Sequence, residues 1–139
     1  MFHNLPFIDT NIFLRFLVFD NQNPHLSKKA KEIIKGIKDR RITVWTNILV
    51  ISEIIFVLEK TYKENKHDIA QKLKRLLLLS NILLEDKPII LSALKTYEVY
   101  NIDFEDAYSY QQMKLLGSKS IYSFDEAHFK KLKDIQILS

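Results

Sequence analysis

Short apolar runs and longer amphipathic stretches take turns along the chain. "PFID" (residues 6–9) is an apolar run closed by an acid and predicts a short buried strand; "NIFLRFLV" (11–18) predicts a helix directly after it. "SKKAKEIIKGIKDR" (27–40) has helical spacing, with Ser27 placed to cap its start. "ITVW" (42–45) is β-branched and short, so a strand, and "NILVISEIIFVLEKTYKEN" (47–65) is long and mostly apolar, so a buried helix. "HDIAQKLKRLLLLS" (67–80) predicts another helix, and "NILLED" (81–86) a further strand. "PIILSALKTYEVYN" (88–101) opens on Pro88, which fits a first helical position because its missing N–H has no partner to lose there. "DFEDAYSYQQMKLLG" (103–117) is a helix that Gly117 ends; "KSIYSF" (119–124), "DEAHFKKLK" (125–133) and "IQIL" (135–138) read as strand, short helix and strand.

Strands separated by helices, apolar throughout and not alternating, predict a parallel sheet covered on both faces. The expected fold is therefore α/β: a three-layer α/β/α sandwich around a central parallel sheet of four or five short strands. The competing arrangement is a mostly helical bundle, since several of these strands have only four residues. No repeat and no composition shift divides the sequence, so residues 1–139 are expected to form one domain.

Composition narrows the chemistry. With no cysteine among 139 residues, disulfides and thiolate metal sites are excluded, and the pattern agrees with a reducing, cytoplasmic setting. "MFHNLPFIDT" lacks the basic start and long apolar stretch of a secretion signal, and runs such as "LLLL" (76–79) are far too short for a membrane span. A net charge of +4 permits a nucleic-acid partner without requiring one.

In an open parallel sheet, functional groups gather beyond the carboxyl ends of the strands. Asp9 follows "PFI", Asp125 follows "SIYSF", and Asp103, Glu105 and Asp106 open a helix. Each has an ordinary explanation at a helix start: Asp9 and Asp103 as caps, Ser123 with Glu126 as a capping box. Glu53 is different. Its helical neighbours Leu49, Val50, Phe56 and Val57 are all apolar, and an unpartnered carboxylate buried among them would cost several kcal/mol or take up a proton; the plainer alternative puts it on an exposed edge. If Asp9, Glu53, Asp106 and Asp125 meet, each pair about 4 Å apart repels by about 4 kcal/mol at an effective dielectric of 20. Protons or a cation must neutralise such a group, and oxygen ligands select Mg²⁺ or Mn²⁺, ions suited to phosphate-ester hydrolysis.

Three segments, "FIDTNIFLRFL", "SEIIFVLEK" and "IDFEDAYSYQQMKLLGSKSIYSFDEAHFKKL", resemble the PIN-domain ribonucleases, above all the compact VapC-like toxins of type II toxin–antitoxin pairs. The resemblance covers nearly the whole chain and implies catalytic acids at Asp9, Glu53, Asp106 and Asp125, with the metal on Asp9, Asp106 and Asp125. It implies that Asn11 supports the first acid and Ser123 the last, while Asp103 and Glu105 compete with Asp106 for the same assignment. It further implies a Mg²⁺- or Mn²⁺-dependent endoribonuclease acting through a metal-activated water on tRNA, rRNA or mRNA, a homodimer, and a cognate antitoxin that blocks the acidic pocket.

The remaining residues add less. His3, His25, His67 and His128 show no ligand spacing and read as surface or loop positions. Arg15, Lys28 and Lys29 are the cations placed to meet RNA, with Lys130 and Lys131 following His128; each is otherwise a solvated helix face. Tyr108 and Tyr110 offer rings for base stacking but fit a core equally well. Two other functions compete: a non-catalytic RNA- or protein-binding module on the same fold, and a phosphate-transfer enzyme attacking through Asp9. The second usually needs another Asp two residues on, where this chain has Asn11.

Overall fold

A computed structural model describes residues 2–138. Seven helices and four short strands follow one another: α1 (Thr10–Leu17), α2 (Pro24–Lys38), β1 (Val44–Trp45), α3 (Ile48–Lys60), α4 (Lys66–Leu77), β2 (Ile82–Leu83), α5 (Lys87–Tyr100), α6 (Phe104–Leu116), β3 (Ser120–Tyr122), α7 (Glu126–Phe129) and β4 (Gln136–Leu138). The chain divides into two compact units, one up to Lys87 and one from Pro88.

In the first unit three extended segments run in parallel, with β1 in the middle. β1 pairs with β2 through Val44↔Ile82 and Trp45↔Leu83, and residues 6–8 lie along its other edge. There the Trp45 N–H donates to the Pro6 carbonyl at 3.0 Å, and Ile8 N–H donates to Trp45 O at 2.9 Å. The expected first strand thus contributes a single bridge, Phe7↔Trp45. Still, its direction is the one that delivers Asp9 to the carboxyl end. The Thr46 hydroxyl, buried, donates to the Ile8 carbonyl at 3.0 Å and ties that end down. The Asn81 side-chain amide donates to the carbonyls of Ile37 and Ile42, fastening the end of α2 to the start of β2.

Helix α2 begins at Pro24, ahead of the expected cap at Ser27. Ser27 is buried instead, and its hydroxyl accepts from the Asp20 N–H at 2.9 Å. Asp20 organises the turn between α1 and α2: its carboxylate accepts from the backbone of Gln22 and Asn23 and from Arg15 at 2.7 Å. Burial pulls this carboxyl's pKa up, but those hydrogen bonds and the Arg15 charge outweigh it, so it lies below the usual value. α1 packs on α2 and α3, and α3 on α4. Their apolar stripes supply fully buried Phe13, Ile34, Ile37, Ile51, Ile54, Leu58, Ile69 and Leu73.

The second unit is built on α5, α6 and a small βαβ element in which β3 and β4 pair in parallel across α7. Gln111 on α6 donates to the Thr96 hydroxyl of α5 at 2.8 Å. Phe104 is buried between two rings, edge-on to Tyr97 at 6.2 Å and stacked on Tyr108 at 6.4 Å. Such pairs add about 0.5–1.5 kcal/mol beyond burial itself. Each ladder is two-stranded. The molecule is α/β but mostly helical, with far less strand than a sheet of four or five full strands would have.

Candidate metal centre

Two acids come into one neighbourhood in the first unit. Asp9 is the N-cap of α1, and its carboxylate accepts from the adjacent Thr10 N–H at 2.7 Å. Thr10 is buried, and its hydroxyl donates to a Glu53 carboxylate oxygen at 3.0 Å. Thr10 therefore stands between the two acids and holds each by a different atom. Glu53 is exposed, so of the two placements its sequence allows, the exposed edge is the one the structure has. The reason lies in its helical neighbours: Val50 is buried, but Leu49 and Phe56 are 74% and 59% exposed, so this face of α3 is itself open. Asn11, the expected support for Asp9, is exposed on α1.

In the second unit three carboxylates face one imidazole. Nδ1 of His128 lies 2.7 Å from Asp106 Oδ2, 3.4 Å from Asp125 Oδ2 and 4.0 Å from Asp103 Oδ2. Local sequence explains the placement. Asp103 is the N-cap of α6 and Asp106 lies in that helix's first turn; Asp125 is the N-cap of α7, and His128 follows it by three residues on the same short helix. Neither Asp103 nor Asp125 uses its side chain to cap its helix. Side-chain capping therefore does not account for these two acids, although both keep the N-cap position that favours an acid at a helix start. The turn into α7 is fixed by Ser123, whose hydroxyl accepts from the Asp125 N–H at 3.0 Å; this replaces the expected capping box with Glu126. Glu105 is exposed and lies outside the group.

The sequence reading of His128 as a surface or loop residue needs correction. Its side chain is 24% exposed and turned onto the acids. The signal was present as Asp125-x-x-His128, an i, i+3 pair on one helical face. Ligand atoms of Asp103, Asp106 and His128 all lie within 4.8 Å of one another. This donor set, carboxylate oxygen plus one imidazole nitrogen, fits a divalent cation; Asp125, 3.4 Å from the same nitrogen, lies outside that group of three.

The expected RNA-facing cations are placed less simply. Arg15 is ion-paired with Asp20 at 2.7 Å, and its first duty is to the α1–α2 turn. Arg15 and Lys28 nevertheless line one cavity of about 550 Å³, floored by Phe16, Phe19 and Pro24 and completed by Lys31. Lys29 is exposed on α2. Lys130 pairs with Glu126 at 2.9 Å, and Lys131 donates to the Asn101 carbonyl at 3.2 Å. Of the two tyrosines, Tyr108 stacks on Phe104; Tyr110 is buried and its hydroxyl donates to the Lys133 carbonyl at 3.3 Å. Both serve packing. Among the described residues no helix is long and apolar enough to cross a membrane.

Comparison with known proteins gives two findings. Residues 7–135 match the sequence model described as PIN domain. The chain is similar to a protein of Aquifex aeolicus (strain VF5) named VapC ribonuclease, 27% identical over 128 residues that cover 92% of each chain.

Proposed function

The chain belongs to the PIN domain family, and from that premise we propose that it is a Mg²⁺- or Mn²⁺-dependent endoribonuclease, the toxin of a type II toxin–antitoxin pair. The observation that carries this reading is the gathering of Asp103, Asp106 and Asp125 around Nδ1 of His128, at 4.0, 2.7 and 3.4 Å, with neither Asp103 nor Asp125 capping its helix through the side chain. The similarity to a protein named VapC ribonuclease over 92% of both chains supports it. Residues 1–139 act as one nuclease domain in this proposal, in line with a single family match spanning most of them.

Asp9, Asp106 and Asp125 would hold the ion, and Glu53 would complete the acidic set. When bound, the ion supplies a more acidic water and neutralises charge on the phosphate. The chain's own part is to place these acids and to fix them. Thr10 orients Asp9 and Glu53 through its N–H and hydroxyl, and Ser123 orients the backbone of Asp125. Asn11 would add support to Asp9. Arg15, Lys28 and Lys29 would meet the phosphates of tRNA, rRNA or mRNA. The protein would work in the cytoplasm as a homodimer held inactive by an antitoxin. Exposed apolar side chains such as Leu49, Phe56, Tyr122 and Phe124 support such protein contacts.

The test is cleavage of a total tRNA and rRNA preparation by purified protein with Mg²⁺, with Mn²⁺ and with EDTA. Asp9→Asn, purified identically, stands beside it. Cleavage that needs the ion and Asp9 is expected. RNA binding that ignores chelator, without cleavage, would point to the binding module instead.

A further inference from the structure

We infer that His128 is a direct nitrogen ligand of the metal site and makes that site favour Mn²⁺ over Mg²⁺. The inference rests on the metal-dependent reading above and adds to it a donor that carboxylate patterns in the sequence do not contain. Geometry carries the argument. Around one ion with bonds of about 2.1 Å, neighbouring ligand atoms are about 3.0 Å apart and opposite ones about 4.2 Å. Ligand atoms of Asp103, Asp106 and His128 lie within 4.8 Å of one another, and Nδ1 of His128 stands 2.7, 3.4 and 4.0 Å from oxygens of Asp106, Asp125 and Asp103, distances close to those separations. The 2.7 Å contact to Asp106 is a hydrogen bond, and two further carboxylates, those of Asp125 and Asp103, face the same nitrogen. The placement is set by the backbone, because His128 and Asp125 share the short helix α7 while Asp103 and Asp106 share the first turn of α6.

The chemical consequence follows from donor type. Mg²⁺ prefers oxygen and water, whereas an imidazole suits first-row transition ions. An all-carboxylate site would discriminate little by this route. One nitrogen tilts the choice toward Mn²⁺ and other transition ions without excluding Mg²⁺.

The experiment uses the full chain and Mn²⁺ alone. Pulsed electron paramagnetic resonance of the protein–Mn²⁺ complex reads coupling to a ligating ¹⁴N, and titration calorimetry reads affinities for Mn²⁺ and Mg²⁺. The expected result is imidazole nitrogen coupling in the wild type that disappears in His128→Gln. The variant should lose roughly tenfold in Mn²⁺ affinity while its Mg²⁺ affinity stays within about twofold. Bound Mn²⁺ without nitrogen coupling in the wild type overturns the inference and leaves the nuclease reading standing. Coupling that survives in His128→Gln also overturns it, since the nitrogen would then come from another histidine. Absence of saturable Mn²⁺ binding overturns both this inference and the metal-dependent reading. The wild-type spectrum decides the first point without any variant, so a misfolded His128→Gln does not rescue the idea.

Discussion

Thr10 links two acids that lie 44 residues apart in sequence, Asp9 by its N–H and Glu53 by its hydroxyl. Thr10→Val keeps the shape and removes the hydroxyl. Because Glu53 is exposed, water can replace the lost donor, so unfolding in urea should show a loss of only about 0.5–1 kcal/mol. RNA cleavage should fall much further, since Glu53 is then unoriented. Asp20 offers a second residue-level test. Its folded pKa is lowered, so its contribution to stability is complete above the unfolded value near 3.8 and is lost as pH falls through the folded one. The difference in urea midpoint between wild type and Asp20→Asn should be flat above about pH 5 and close below about pH 4. At this scale the sequence was informative where chemistry is local. Asp9, Asp106 and Asp125 were legible as acids at element ends. For Glu53 the sequence leaves burial and an exposed edge both open, and the structure has the exposed edge, with Leu49 and Phe56 exposed beside it. For His128 only the Asp125 pairing is visible in the sequence, because Asp103 and Asp106 come from another helix.

At the scale of elements, termini decide how the acids are presented. Asn47 and Asn65 cap α3 and α4 through their side chains, accepting from Val50 and Asp68 at 3.2 and 2.8 Å. Asp103 and Asp125 occupy the same position on α6 and α7 without capping, so their carboxylates stay available. α6 ends where the sequence predicts, at Gly117 with φ +73°, and the Ser118 N–H closes the turn on the Met113 carbonyl at 2.9 Å. A Cβ at Gly117 would meet nothing within 4 Å, so Gly117→Ala carries only the conformational penalty of the left-handed region. Thermal unfolding should show a loss of about 1 kcal/mol, with Gly117→Asn costing less. All seven helices were legible because their apolar periodicity extends over several turns or a cap marks them. Strand extent was not: β1 and β2 have two residues each, and whether an apolar tetrapeptide pairs along its length depends on neighbours distant in sequence. The start of α2 was placed late for a similar reason, because Pro24 at its first position outweighs Ser27.

At the level of the whole chain, the proposed nuclease sets an acidic centre within a mildly basic protein. A net charge of +4 coexists with carboxylates gathered at helix starts, so in the proposed function attraction for RNA would come from cations such as Arg15, Lys28 and Lys31 around their shared cavity. The domain-level pattern was legible through the order and spacing of the acids along the chain, which periodicity alone does not supply. The proposed function requires Asp9 and Asp106 to serve one hydrolytic reaction. Single-turnover cleavage of a tRNA and rRNA preparation in Mn²⁺ tests it most directly, comparing wild type, Asp9→Asn, Asp106→Asn and the double variant. Groups that act as a unit are strongly non-additive. Each single variant is expected to lose roughly 10³-fold or more, and the double variant to be no worse than either. Full activity in either single variant, or losses that multiply in the double, would contradict it.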